Sequence, residues 1–204
     1  MLKAALFSGG KDSIYAALLE WPVDIFVTFV YQFPRPSPHL LNIHKLIELA
    51  NAAGIPVAIL KVDKGREFQQ EADFLRKLGV DVVVAGDQAV EDHLKYMERL
   101  AHEAGASLRE PLWGQDPAEI LAREAEELDF VVIGASHLDL VCDYVGSRNV
   151  GRFLEKARSL GVDPIGERGE YHTLVVEIKR LAASIPFRCL DVRKYVDYYI
   201  ALVS

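Results

Sequence analysis

Apolar positions fall in short runs that alternate with stretches of helical spacing. Residues 3–7 form a short apolar run and residues 23–30 are apolar and β-branched; with residues 57–62 and 80–85 they read as buried strands. Residues 12–20, 41–53, 67–78 and 90–104 carry the three-and-four spacing of amphipathic helices. Three of these helices stop at a glycine (Gly54, Gly79 and Gly105), the residue that most easily adopts the left-handed turn closing a helix. This βαβα rhythm predicts an α/β fold whose mostly parallel sheet has helices on both faces. The second half is less regular. Residues 117–128 and 150–160 predict helices, and 130–134 and 171–178 predict strands. Residues 187–203 predict one long strand or a hairpin. A boundary near Gly105 divides the chain into an N-terminal α/β domain, 1–105, and a C-terminal α+β domain, 106–204. The segment 32–40 holds three prolines and is expected to be a mobile loop near the active site.

Composition narrows the setting. Over 204 residues, 23 Lys+Arg against 30 Asp+Glu give a net charge of −7, and half the residues are hydrophobic. That is globular composition, with an acidic balance that disfavours nucleic acid and anionic membranes. No apolar run reaches the roughly 18 residues of a membrane span. Cys142 and Cys189 stand far apart with no Cys-x-x-Cys, which fits a reducing cytoplasm and excludes a cysteine-only structural zinc site.

The chemistry begins at Ser8-Gly9-Gly10-Lys11-Asp12-Ser13, between the first strand and the first helix. The glycines let backbone N–H groups approach an anion, and the helix N-terminus adds partial positive charge. Lys11 supplies a full charge, Ser8 and Ser13 supply hydroxyls, and Asp12 can cap the helix or hold Mg²⁺. The pattern is neither a Walker loop nor a dinucleotide fingerprint. It looks like the PP-loop of the N-type ATP pyrophosphatases, which cleave ATP to AMP and pyrophosphate.

Further stretches are Asn42-Ile43-His44, Gly54-Ile55-Pro56, Gly86-Asp87, Glu110-Pro111-Leu112-Trp113-Gly114, Leu138-Asp139, Gly146 and the run from Gly166 to Thr173. With the loop in front, the series resembles the diphthine–ammonia ligase family, over residues 1 to about 176. The family often carries Glu where His172 stands, and its Asp-x-Pro-x-Phe segment is replaced here by Glu177-Ile178-Lys179. The resemblance implies an adenine nucleotide alpha hydrolase-like (HUP-type) sheet and a C-terminal substrate domain. It also implies a reaction in which ATP adenylates the diphthine carboxylate of elongation factor 2 and ammonia displaces AMP. ATP and Mg²⁺ are the expected cofactors, and the modified factor and ammonium the expected partners.

The expected catalytic residues are Lys11, Glu167, Glu170 and His172. Ser8, Gly9, Gly10, Lys11, Asp12, Ser13, His44 and Gly86 are assigned to the nucleotide, with Asp12 on the metal. Glu110, Trp113, Asp139, Tyr171 and Thr173 are assigned to the acceptor, with Tyr144 a further member of a cage for trimethylammonium. Each also has a plain structural alternative: Trp113 as core, Glu110 and Asp139 as caps, Glu167 and Glu170 as loop charges, His44 as a packed ring. Tyr195, Tyr198 and Tyr199 read as sheet packing or a homo-oligomer contact. The rival functions are a pyrophosphatase acting on tRNA or a small metabolite, and a module that binds ATP without turning it over.

Overall fold

The computed structural model describes residues 1–32, 35–166 and 168–204. They form two compact units. The first comprises Met1–Ser8, Asp12–Pro34 and Gly54–Gly114; the second comprises Gly9–Lys11, Arg35–Ala53 and Gln115–Ser204. The sequence reading cuts the chain once, near Gly105, whereas these units interleave. One reason is β5 (Ser107–Arg109), which pairs in parallel with β4 (Val80–Val84) and so extends the first unit past Gly105.

The first unit is a five-stranded parallel sheet. Its order is β3 (Val57–Lys61), β2 (Ile25–Val30), β1 (Leu2–Leu6), β4, β5. The helices are α1 (Lys11–Leu19), α4 (Glu67–Leu78) and α5 (Glu91–Ala104). Gly79 and Gly105 close α4 and α5 in the left-handed region, as their sequence positions predict. Buried Ala4, Val27, Ala72, Leu75, Val83 and Leu100 form the core between sheet and helices. Strand order reverses between β1 and β4, the switch point beside which open α/β sheets bind ligands at their carboxyl ends.

The second unit is an antiparallel sheet ordered β10 (Cys189–Tyr195), β11 (Tyr198–Val203), β6 (Leu128–Ala135), β8 (Tyr171–Ile178), β9 (Ala183–Ser184), with β7 (Tyr144–Val145) also on β6. The 187–203 stretch is thus a hairpin. Helices α2 (Pro38–Leu41), α3 (Ile43–Ala52), α6 (Pro117–Glu127) and α7 (Val150–Ser159) belong to this unit. The helix expected at 41–53 is split at Asn42, which is fully buried. Its side-chain amide donates to Pro38 O and Ala201 O at 2.9 Å each, and its Oδ1 accepts from Val203 N–H at 2.8 Å. A side chain committed to β11 in this way cannot cap α3. Asp116 shows the ordinary case: its carboxylate accepts from Ala118 and Glu119 N–H at 3.0 Å, with Pro117 opening α6.

The two cysteines are not free thiols. Cys142 and Cys189 form a disulfide, 47 residues apart in sequence. Separation along the chain conceals their approach, because the β10–β11 hairpin returns the chain to β6. The bond removes the argument that the cysteines made for a reducing compartment. Among the described residues, no helix is long and apolar enough to cross a membrane. Of the expected mobile loop at 32–40, Phe33 and Pro34 lie outside the described residues, and Pro38–Leu41 is a helical turn.

Candidate functional site

The loop that follows β1 starts at Ser8. Its hydroxyl lies 3.2 Å from the Ser13 hydroxyl, and Ser13 Oγ also accepts the Ser8 N–H at 3.3 Å. Gly9 takes a φ of +77°, a conformation that favours glycine, and a Cβ there would come within 2.7 Å of Leu46. The turn therefore admits no other side chain without displacement. α1 opens directly at Lys11, so its first N–H groups belong to the same loop.

The loop after β4 supplies the neighbouring wall in the first unit. The Asp12 Oδ1 accepts a hydrogen bond from Gln88 Nε2. Gln88 is buried, although nothing in its sequence surroundings singles it out. A Cβ on Gly86 would lie 2.8 Å from the Asp12 carbonyl oxygen, so this glycine permits the two loops to touch. Burial pushes the Asp87 carboxyl above its usual range; His93, 3.4 Å away, opposes the rise and the Asp12 carboxylate adds to it. Glu110 Oε2 accepts from Asp87 N–H at 3.2 Å, and Trp113, half-buried, donates its N–H to Glu110 O at 3.2 Å. Glu110 therefore ties the end of β5 to the loop after β4.

In the second unit, residues Gly9–Lys11 lie on β8. Gly9 O accepts from Val175 N–H at 2.8 Å, and Lys11 N–H donates to Thr173 Oγ1 at 3.0 Å. The Lys11 side chain does not face solvent. It is fully buried, and its Nζ stands 3.3 Å from Glu124 Oε2 and 5.8 Å from the Tyr171 ring centre. The Tyr171 hydroxyl donates to Pro164 O at 2.6 Å.

Glu167 lies outside the described residues. Glu170 is half-buried and closes its own turn, accepting the Arg168 N–H at 3.0 Å. His172 packs edge-on against His39, ring centres 5.3 Å apart, with Tyr198 at 6.1 Å. Arg35 lies 4.2 Å over the Tyr198 ring. Burial, the largest cause, drives the Tyr198 hydroxyl well above the usual tyrosine range. His44 Nε2 is 2.9 Å from Val203 O, which ties its ring to β11. Asp139 is exposed and offers its backbone carbonyl to Lys156 Nζ. Tyr144 donates to Asp129 and stacks on Phe187 at 5.8 Å; burial first, then the Asp129 bond, pushes its hydroxyl up to about 12.

Gly9 and Gly86 are each required by packing within their own unit, Gly9 against the Leu46 side chain and Gly86 against the Asp12 backbone. Among the described residues no three His, Cys, Asp or Glu side chains form a metal cage. Asp12, with Asp87 beside it, offers the one or two carboxylates with which Mg²⁺ joins substrate phosphates.

Residues 1–108 match a family model described as the diphthamide synthase N-terminal domain, more than half of the 204-residue chain. No curated protein matches the chain. One solved structure that matches is described as a predicted subunit of tRNA methyltransferase from Methanocaldococcus jannaschii. It is 17% identical, covers 88% of this chain and 98% of its own, and has a TM-score of 0.47.

Proposed function

Because the chain belongs to the diphthamide synthase N-terminal domain family, a PP-loop family of ATP pyrophosphatases, we propose that it is an AMP-forming amide ligase. Its acceptor in this reading is the diphthine carboxylate of elongation factor 2, and its nitrogen source is ammonia. The observation that carries the reading is the meeting of two loops at the switch point, where Gly86 packs on Asp12 and Gln88 holds the Asp12 carboxylate.

In the first step a carboxylate oxygen bonds to the α-phosphorus of ATP. The bond from that phosphorus to the bridging oxygen breaks, and pyrophosphate leaves. In the second step ammonia adds to the acyl carbon and AMP leaves with the bonding pair, giving the amide. The acceptor is already ionised near neutral pH, so the first step needs no base. It needs alignment and charge neutralisation, supplied by the loop amides, the α1 N-terminus and the hydroxyls of Ser8 and Ser13. Asp12, with Asp87 beside it, would hold Mg²⁺, which would supply further charge neutralisation on the phosphates. The second step needs ammonium to lose a proton, and Glu170 and His172 are the described groups suited to take it.

The test is product analysis with Mg·ATP and ammonium, with and without elongation factor 2 bearing diphthine. AMP and pyrophosphate formed only with the modified factor support the ligase. AMP formed with tRNA or a metabolite instead keeps the mechanism and replaces the acceptor. ADP, or binding without product, overturns the reading. Lys11→Ala is expected to lower AMP formation by about a hundredfold or more.

A further inference from the structure

Strand β10 lies at the end of the second unit's sheet and pairs with β11 on one side only. Leu190, Asp191, Val192, Arg193 and Lys194 are all exposed, Leu190 at 61% and Val192 at 39%. Tyr195 pairs with Tyr198, so the turn between the strands is the two residues Val196 and Asp197. A two-residue hairpin closes on a hydrogen-bonded pair, and such pairs alternate with open ones along an antiparallel ladder. Tyr195 and Arg193 therefore turn their backbone groups towards β11. Val192 and Lys194 turn theirs to the outer edge.

An open edge with exposed apolar side chains is a template for a further strand unless proline or repelling charges blunt it. β10 holds no proline, and its charges alternate in sign. Asp191 and Arg193 stand two residues apart on one face, 3.2 Å from each other, and both are more than half exposed. Laid antiparallel on a second copy about a two-fold axis through Val192, this strand meets its own complement. Asp191 faces the partner's Arg193, Arg193 faces the partner's Asp191, and Val192 faces the partner's Val192. A two-fold axis through Arg193 would set arginine against arginine, and parallel pairing would set each charge against its like. The register shift between Cys189 and Asp191 ends the regular ladder, so the paired segment is short. A two-fold contact uses the β10 edge of both copies and therefore closes at a dimer.

We infer that β10 is an interaction edge whose partner is β10 of a second copy of this chain, paired antiparallel about Val192. The inference stands apart from the ligase reading and does not need it.

The test is sedimentation velocity of the full chain at low salt, over about 1–300 µM, the range suited to a contact of small area. Wild type is expected to pass from monomer to dimer across that range. Asp191→Arg and Arg193→Asp each set like charges against one another in the dimer, so each alone is expected to weaken self-association about tenfold or more. Mixed in equal amounts, the two variants bring opposite charges together at both positions. Their mixed dimer is expected to form within about threefold of the wild-type affinity. A wild type that stays monomeric overturns the inference and leaves the edge to an extended segment of another protein. Self-association that both variants leave unchanged also overturns it, because another face is then responsible. A mixture that fails to associate, although each variant melts as wild type does, overturns it as well. Should either charge variant fail to fold, Val192→Pro carries the test. It removes an N–H from the outer edge and none that β11 accepts, so association must weaken while the melting temperature holds. Unchanged association in Val192→Pro overturns the inference.

Discussion

At the scale of single residues, the loop depends on atoms that are absent as much as on those present. Gly86→Ala adds a methyl group 2.8 Å from the Asp12 carbonyl oxygen, which is backbone and cannot swing aside. The expected cost is about 1–3 kcal/mol, with weaker ATP binding in a titration and a lower melting temperature. Thr173→Val keeps the volume but removes the oxygen that accepts the Lys11 N–H. Loss of one such buried bond is expected to cost about 1–3 kcal/mol and to raise KM for ATP more than it lowers kcat. The motif from Ser8 to Ser13 made the loop legible from spacing alone. The state of Lys11 was not legible, because its partner sits 113 residues away on a different helix. One clue was available: α6 buries Ile120, Leu121, Glu124 and Ala125 on one face, so an acid stands in the apolar register. An acid there needs a cation, and Lys11 was the cation already singled out. Asn42 and Gln88 gave no such clue, since their bonds are made only by the folded chain.

Whole elements were easiest to read where they are long. Strands β1 to β4 of the parallel sheet and helices α4, α5 and α6 follow their hydrophobic spacing and their caps. The missed strands are β5, β7 and β9, of two or three residues, too short for any period to show. Helix α4 repeats the pattern of α6, with Glu71 buried beside Ala72 and Leu75. Burial raises the Glu71 carboxyl above its usual range; hydrogen bonds from Tyr96, at 2.9 Å, and Tyr31 pull it back, and Glu67 adds to the rise. The folded state therefore prefers the neutral carboxyl. Its contribution to stability is complete below about pH 4.3 and is lost as pH rises through the elevated value. Glu71→Gln is expected to remove that part of the pH dependence, which denaturant melts between pH 4 and 8 would show. The disulfide acts on the second unit. Closing 47 residues of chain is worth about 4 kcal/mol in chain-entropy terms. Cys142→Ser, or reduction, is expected to lower the melting temperature by several degrees while leaving the first unit's parallel sheet unchanged in its amide spectrum.

Across the molecule, the interleaved units mean that the family match and the compact units do not share a boundary. The match ends at residue 108, yet Arg35–Ala53 belongs to the unit completed by Gln115–Ser204. A chain cut after residue 108 loses the partners of Asn42 and His44 on β11, and the Pro186 carbonyl that Lys45 holds at 2.9 Å. Such a fragment is expected to melt without a cooperative transition by circular dichroism, whereas the full chain melts cooperatively.

The bond from the Lys11 N–H to Thr173 spans 162 residues of sequence. On a ribosome adding about 5–20 residues per second, Thr173 is made roughly ten to thirty seconds after Lys11. For that interval the nascent chain carries the whole phosphate-loop sequence without the strand on which it rests. Under the nucleotide-site reading, affinity for ATP is therefore expected only once residue 173 has been made.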